Sequence, residues 1–529
     1  MVRGGAAVGR STCTNVLHPH GVHHGPGEVG TSHARVSGRR HRHVGFEGRP
    51  RRRRRPGAGP DRPGTRHRAT GARPRRARRR SRLVGRLRRD RAGAAPALDD
   101  GTELAGLGVS GIGPTLLPAD GDGRPLRPAI LYGVDTRAGA EIDELNAELG
   151  VDAILARAGT PLSSQAVGPK WRWLARHEPE VFARTEMFLM CSSYLVHRLT
   201  GEYVLDHHSA SQCDPMYDLT AADWAPDWAE RTAPGITLPR LLWPTEVAGR
   251  VTAAAAAATG LPEGLPVTAG TVDAWAEATS AGVTGAGEVM VMYGTTMFLI
   301  EVIDRPHPHP AMWTTRGVEP GSFTLAAGMA TSWAITNWLR DLTGEGFAGL
   351  VAEAAEAPPG SGGLLLLPYF AGERTPLFDP DARGVVAGLT TGHTRGEVYR
   401  AALEGIAHGV RHNLEVMRSA GGGTKRLVAV GGGVQGGLWT RIVTDVTGVP
   451  QDVPEQTVGA ALGDAWLAAV ATGAEPRLRD WNPVARTIEP DPAAREVYDR
   501  FHPHYRSLYT ATRETAHFLA DERRRSYRP

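Results

Sequence analysis

Three short segments carry residue types that could hold a phosphate or move a proton. In the first, Val267 closes an apolar run, Gly270 and Thr271 make a turn, and Asp273 stands at the start of the helix predicted by the residues that follow. A carboxylate in a helix's first turn is held by free backbone N–H groups and by the helix dipole. Asp273 is there either as a plain cap or as a base fixed in place. In the second, Val289 to Ile300 reads as two apolar strands around Gly294-Thr295-Thr296. Such a turn offers backbone N–H groups and hydroxyls to an anion, and equally closes an ordinary hairpin. In the third, the apolar run Leu427 to Val430 ends in Gly431-Gly432-Gly433, with a helix predicted from about Leu438 and with Gln435 and Trp439 nearby. Glycines at a strand–helix turn let a nucleotide lie against the backbone at the helix start. A dinucleotide fold is the rival reading of this segment: Gly431 to Gly436 can be fitted to G-x-G-x-x-G, with Asp452 as the following acid.

The elements that must position these segments follow an α/β pattern from Glu103 onward. Gly106 to Leu117 reads as a buried strand, a turn and a second apolar run. Arg137 to Ala156 has apolar residues at helical spacing and predicts one helix. Pro169 to Arg176, Val181 to Leu189 and Ser192 to Leu199 predict further short helices. A second alternation runs from Pro266 to near Tyr509, and Ala511 to Pro529 reads as a helix fading into a charged tail.

The chain has 529 residues, enough for two or three domains with sizeable cores. Its 41% hydrophobic and 22% charged residues are ordinary for a soluble enzyme. The longest apolar stretches, such as Val289 to Met292 and Leu364 to Leu367, are far short of the ~20 residues of a membrane span. No apolar h-region of a secretory signal stands near the start. Cys13, Cys191 and Cys213 are scattered without metal-site spacing, which argues against disulfides and structural zinc and points to the cytoplasm.

Charge is unevenly spread. Residues 1–97 carry 26 Arg against 4 acidic residues, a balance of +22, so with +5 for the whole chain the remainder is at −17. An acidic body is joined to a very basic segment. Residues 38–97 contain no Lys, Ile, Tyr, Trp, Met, Asn or Gln and show no periodicity, which predicts disorder. A basic arm for nucleic acid and a solvated tail are two readings. A third reading rests on codons. Between Gly38 and Ala97 only Phe46, Thr65, Thr70 and Ser81 need, or could need, a codon beginning with a base other than C or G. That bias belongs to third positions of a GC-rich gene. Read one base later, with wobble bases free, the codons of Arg40 to Pro56 can encode GIDTSGSRGVLVDADGR. Those of Pro74 to Leu87 can encode HAEHDAEAVWSGGF, and those of Arg86 to Pro96 GFVAIARELLP, an amphipathic helix running into Ala97-Leu98-Asp99-Asp100. The segment reads best as a shifted frame, and nucleic acid is not the expected partner.

The order of Asp-bearing turn, Gly-Thr-Thr hairpin and Gly-Gly-Gly turn resembles the C-terminal half of the FGGY-family carbohydrate kinases. Gly384 to Glu404 resembles the family's second signature. Leu365-Leu-Leu-Pro-Tyr-Phe-Ala-Gly-Glu-Arg-Thr-Pro376 resembles its Pro-Tyr-x-x-Gly-Glu-Arg-Thr-Pro segment, and Pro454 to Gly463 the start of its next helix. Arg124 to Arg137 resembles the family's run ending in Asp-x-Arg. Pro169-Lys-Trp-Arg-Trp-Leu174 resembles the first signature in part, with Val167 in place of Pro, Ser or Thr. The likeness spans about residues 104–508.

The resemblance implies an α/β protein of two ribonuclease-H-like, actin/hexokinase-type domains with an interdomain cleft. The expected division is 1–97 as the disordered Arg-rich segment, 98–266 as an incomplete N-terminal domain, 267–510 as the C-terminal domain and 511–529 as a tail. It implies ATP-dependent phosphorylation of a sugar or polyol hydroxyl, with ATP and Mg²⁺ as cofactors. Asp273 is then the catalytic base; Gly294, Thr295 and Thr296 hold phosphates; Gly431, Gly432, Gly433, Gln435 and Trp439 lie at the adenosine. Asp135 and Arg137 fall on the sugar side, with a surface ion pair as their other reading. Glu373 and Arg374 are expected to tie the domains together rather than touch substrate. A homodimer is one assembly the resemblance allows. No metal ligand is assigned. The family's first hairpin, Gly-Ile-Asp-x-Gly-Thr, whose Asp is expected to bind Mg²⁺ through water, is missing from the chain and is restored in part by the shifted frame. Xylulokinases carry Met-His after Ser-Gly-Gln and Gly-Gly-Asp-Asn at the base; here stand Ser110-Gly-Ile-Gly-Pro-Thr115 and Thr271-Val-Asp-Ala274. A ketopentose such as xylulose or ribulose is the favoured substrate. The alternatives are an impaired relative that only binds sugar or nucleotide, and a basic nucleic-acid-binding protein.

Overall fold

The computed structural model of the chain describes residues 103–457 and 459–526. The basic segment 1–97, and with it the shifted-frame reading, lies outside the described residues.

The centre of the structure is a mixed seven-stranded sheet. Its strands lie in the order Trp313–Arg316, Phe323–Met329, Met297–Ile303, Glu288–Tyr293, Arg426–Val430, Gln451–Pro454, Val484–Ile488. The strands from Trp313 to Tyr293 pair antiparallel, whereas Glu288–Tyr293, Arg426–Val430 and Gln451–Pro454 run parallel. Antiparallel strands on one side of Glu288–Tyr293 and parallel strands on the other make the ribonuclease-H-like arrangement.

Both faces of this sheet are covered, which explains the unbroken apolar run Val289-Met-Val-Met-Tyr293. Side chains alternate between faces along a strand. Val289, Val291 and Tyr293 join one core with Ile406, Val410 and Leu414 of the long helix Arg395–Ser419 and with Ile442 and Val446 of the helix Leu438–Thr447. Met290 points the other way, into a second core with Trp275 and Ala278 of the helix Asp273–Ser280. Each fully buried side chain of this size contributes ~1.5–3 kcal/mol, so the sheet fixes both helical layers.

The other half, up to the helix Asp273–Ser280, contains short strands that pair only two at a time among the described residues. Ser110–Gly111 runs parallel to Thr271–Val272, and Leu117–Ala119 antiparallel to Met187–Leu189. Its core gathers Leu116, Ile130, Trp171, Leu174, Phe188 and Met216.

Two predicted helices are corrected. Arg137 to Ala156 is not one helix but two, Gly139–Leu149 and Val151–Ala158, because Gly150 adopts φ +86 and ends the first. Val181 to Leu189 divides into a helix ending at Ala183 and the strand Met187–Leu189, whose pairing with Leu117–Ala119 overrides the local helical pattern. The predicted fading tail is helical to Ser526: Pro492–Ser526 is a single helix, with Pro503 inside it.

Candidate active site

The two glycine turns meet because their strands do. Glu288–Tyr293 and Arg426–Val430 are parallel neighbours, with Met292 opposite Val430, so Gly294 and Gly431 emerge side by side at the strands' carboxyl ends. Open α/β sheets offer ligand sites at that edge. Gly431 has φ +93, and a Cβ there would stand 2.7 Å from the Tyr293 carbonyl oxygen. Only glycine fits so close to the neighbouring strand. Gly432, by contrast, faces open space. Thr295, Thr296, Gly432 and Gln435 are exposed at this edge. Trp439 is not: its indole is buried, edge-on to Tyr293 at 5.3 Å and stacked on Trp333 at 6.2 Å. It backs the turn, since a Cβ on Gly433 would touch it at 3.0 Å.

The hairpin is braced from behind. The Ser332 hydroxyl donates to the Gly294 carbonyl at 2.6 Å, and the N–H groups of Ser332 and Trp333 donate to Thr295 and Gly294 carbonyls at 3.1 and 3.2 Å. The glycine turn and the braced hairpin thus place exposed backbone and hydroxyl groups, of the kind that bond phosphate oxygens, side by side at one edge.

Asp273 begins the helix Asp273–Ser280 directly after the strand Thr271–Val272. Gly270, at φ +76, packs the turn before that strand so close to its neighbour that a Cβ there would stand 2.9 Å from the Val109 carbonyl oxygen. The Asp273 carboxylate accepts the Ala274 N–H at 2.8 Å. Burial raises its pKa, and the backbone hydrogen bond only partly opposes this. A carboxyl with a raised pKa is a better proton acceptor than an exposed one.

Tyr132 shares the neighbourhood of Asp273. Burial raises its pKa first, the Asp273 charge adds to the rise, and Arg374 opposes it. Arg374 lies along the strand end, donating from Nη2 to the Met329 carbonyl at 3.1 Å. Gly328 makes room for it, since a Cβ there would meet the guanidinium at 2.6 Å. Its Nε is buried without a hydrogen-bond partner. The sequence reading had Glu373 and Arg374 as domain ties. In the structure Glu373 is bonded within the C-terminal half, to the Ala330 N–H, and it is Arg374 that approaches Tyr132 of the other half.

Asp135 and Arg137 make a bidentate ion pair, with both contacts at 2.8 Å, and the Arg137 guanidinium lies 4.6 Å from the Trp173 ring centre. Asp135 is tied to Tyr132 through its N–H, which donates to the Tyr132 carbonyl at 2.9 Å. Lys170, from the partial first signature, is a bracket. Its buried ammonium donates to the Ser164 carbonyl at 2.6 Å, and Ser164 and Gln165 in turn bond Gly133. Burial pushes Lys170 down to about 8, against the attraction of Asp135.

Sequence reasoning missed Tyr132, although it lies inside the quoted Arg124 to Arg137 run. It also missed Asp464, which accepts the Ser110 hydroxyl. An acid inside the apolar stretch Ala460-Ala-Leu-Gly-Asp-Ala-Trp-Leu467 was the available signal. Among the described residues no group of three His, Cys, Asp or Glu side chains could hold a metal ion. No step is assigned to Mg²⁺. Among the described residues no helix is long and apolar enough to cross a membrane.

The fold and this edge define a sugar kinase of the actin-like class, and sequence profiles agree. The FGGY family of carbohydrate kinases, N-terminal domain, matches residues 99–279, and its C-terminal domain matches 289–472. The chain belongs to the FGGY family of carbohydrate kinases, enzymes that transfer phosphate to a sugar. It is 30% identical over 419 residues to the xylulose kinase of Escherichia coli, covering 77% of this chain and 85% of that one. It is 27% identical to the gluconokinase of Bacillus subtilis, covering 68% and 72%. The crystal structure of xylulose kinase from Rhodospirillum rubrum superposes with a TM-score of 0.77 at 34% identity, covering 83% of this chain and 90% of that one. The two domains of this family are actin/hexokinase-like, as the sequence reading expected.

Proposed function

We propose that this chain transfers the γ-phosphate of ATP to a hydroxyl of a ketopentose of the xylulose or ribulose kind. The observation that carries the reading is the parallel pairing of Glu288–Tyr293 with Arg426–Val430, which joins the Gly294 and Gly431 turns into one phosphate-sized edge. Asp273 takes the proton of the sugar hydroxyl as that oxygen attacks the γ-phosphorus. The bond from phosphorus to the β,γ-bridging oxygen breaks, and ADP leaves. Gly294, Thr295 and Thr296 hold phosphate oxygens while Gly431 to Gly433 carry the adenosine side. Most of the rate enhancement in such a transfer comes from positioning and charge neutralisation, and the base adds a smaller factor. Tyr132 and Arg374, with the Asp135–Arg137 pair behind them, are the acceptor side. The likeness to xylulose kinases of Escherichia coli and Rhodospirillum rubrum supports a ketopentose. The test is ADP release from ATP across xylulose, ribulose, gluconate and glycerol. A preference for gluconate or glycerol would remove the ketopentose assignment.

A second reading, an impaired relative, is favoured by one observation: the described residues of the first half form only two-stranded sheets and contain no counterpart of the Gly294 hairpin. In this reading the chain with this sequence binds nucleotide or sugar without turnover, and the shifted frame at residues 40–96 is the cause.

A further inference from the structure

The outer turns of the terminal helix Pro492–Ser526 reach a buried carboxylate, Asp379, that belongs to none of the groups assigned above. Tyr509 donates its hydroxyl to Asp379 Oδ2 at 2.8 Å, and His517 Nε2 meets the same oxygen at 2.7 Å. The Arg513 guanidinium is 3.9 Å away. The other oxygen, Oδ1, accepts the N–H groups of Asp381 and Ala382, each at 3.0 Å. Burial would raise this carboxyl, yet the bonds from His517 and Tyr509 hold it below the usual range, so it stays an anion.

Asp379 does not end the chain of contacts. Its backbone exchanges two hydrogen bonds with Glu373, at 2.8 and 2.9 Å, and the loop doubles back so closely at Gly372, φ +75, that a Cβ there would stand 2.7 Å from the Pro380 carbonyl oxygen. Glu373 accepts the Ala330 N–H at 2.7 Å, and Thr375 exchanges hydrogen bonds with Gly328. Residues 328–332 then lead to Ser332, which is bonded to Gly294 and Thr295. Apart from the short covalent stretch 328–332, the links are hydrogen bonds, and the last one grips the hairpin turn.

We propose that Tyr509, His517 and Asp379 are positioning residues: the terminal helix acts as a strap that holds the loop 372–380, and through Glu373 and residues 328–332 sets the geometry of the Gly294–Thr296 hairpin. The inner part of the helix is bolted elsewhere. Tyr498 donates to Glu404 at 2.8 Å and Arg411 to Asp499 at 2.5 Å, so loosening the outer turns leaves the helix docked. The proposal rests on the hairpin holding ATP phosphates.

The experiment compares the full chain with the double variant Tyr509→Phe/His517→Ala by amide hydrogen exchange and by titration with ATP. Local opening is expected to speed exchange about tenfold in peptides covering 290–297 and 328–333, with Arg426–Val430 unchanged. ATP binding is expected to weaken about fivefold. His517→Gln, which keeps a donor for Asp379, should exchange like the parent chain. Faster exchange confined to 370–383, with 290–297 unaltered, overturns the relay. If the parent chain does not bind ATP, the nucleotide reading fails instead, and the exchange comparison alone decides the strap.

Discussion

Ser110 Oγ donates a 2.7 Å hydrogen bond to Asp464 Oδ2 across 354 residues of sequence, joining the strand that flanks Thr271–Val272 to the helix Ala461–Ala471. Packing there is close: a Cβ on Gly108 would stand 2.0 Å from the Asp464 carbonyl oxygen. The other carboxylate oxygen, Oδ1, is buried without a partner. Burial pushes Asp464 up to about 7, the Ser110 bond opposes it, and the charge of Asp273 adds to the rise.

A raised folded-state pKa makes the contribution of Asp464 to stability complete below its unfolded value, ~3.9, and lost as pH climbs through 7. Asp464→Asn keeps an acceptor for Ser110 and carries no charge. The variant should gain on the parent chain as pH rises through this window, by up to about 1.4 kcal/mol per pH unit. Urea denaturation at pH 5 and pH 8 reads this. An equal difference at both pH values would show that Asp464 is already ionised in the fold.

Asp273→Asn removes the proton acceptor while keeping the shape and the hydrogen bond from Ala274. In a chain with the first hairpin restored, kcat should fall by about 10²–10⁴-fold, and the ATP dissociation constant should stay the same. Because burial raises the Asp273 pKa, kcat/KM of the parent should decline on the acid side at a higher pH than an exposed aspartate would give. Turnover by the Asn variant at the parent's rate would exclude Asp273 as the base.

Gly431 and Gly432 are adjacent and should behave oppositely. Gly431→Ala places a Cβ against the Tyr293 carbonyl at positive φ and should cost on the order of 1–3 kcal/mol of stability. At Gly432 a Cβ would meet no neighbour, so Gly432→Leu should change stability by less than about 0.5 kcal/mol, while the leucine fills the space over the turn and weakens ATP binding. Thermal melts and ATP titrations of both variants separate the two roles. Unchanged ATP affinity in Gly432→Leu would make the turn a bend and nothing more.

Moving the reading frame one base between about codon 40 and codon 97 should restore solubility, the Gly-Ile-Asp hairpin and sugar-stimulated ADP release. On this account the unrepaired chain would lack half of the phosphate clamp, which carries charge stabilisation in phosphoryl transfer, and should turn over slowly or not at all. A basic-arm protein would instead bind DNA or RNA with steep salt dependence and gain nothing from the repair. Strong kinase activity without the repair would refute the frame account.

The hairpin, the glycine turn and the start of the Asp273 helix were legible because each is encoded locally, by an apolar run ending in residues that only a turn tolerates. The face-to-face burial of Val289-Met-Val-Met-Tyr293 follows from the same run. What was not legible depends on partners distant in sequence. Nothing near Val181 announces that residues 187–189 will pair with 117–119, and Gly150 sits in a periodic pattern that reads through it. Tyr132 and Arg374 gain their meaning from each other across the two halves, and Trp439, read as an adenosine neighbour, is buried because Tyr293 and Trp333 enclose it.

The bonds at Asp379 also impose an order in time. Its anchors Tyr509 and His517 follow it by 130 and 138 residues, so a ribosome delivers the loop long before anything can fasten it. Domains fold as they emerge, amino-terminal parts first. During that interval the seven-stranded sheet can close up to Pro454 while the Gly294 edge still lacks its strap, and a nascent chain gains a set phosphate edge only when its last helix docks. On the strap proposal, stalled or prematurely released chains would carry a complete glycine turn and yet hold ATP more weakly than the finished chain.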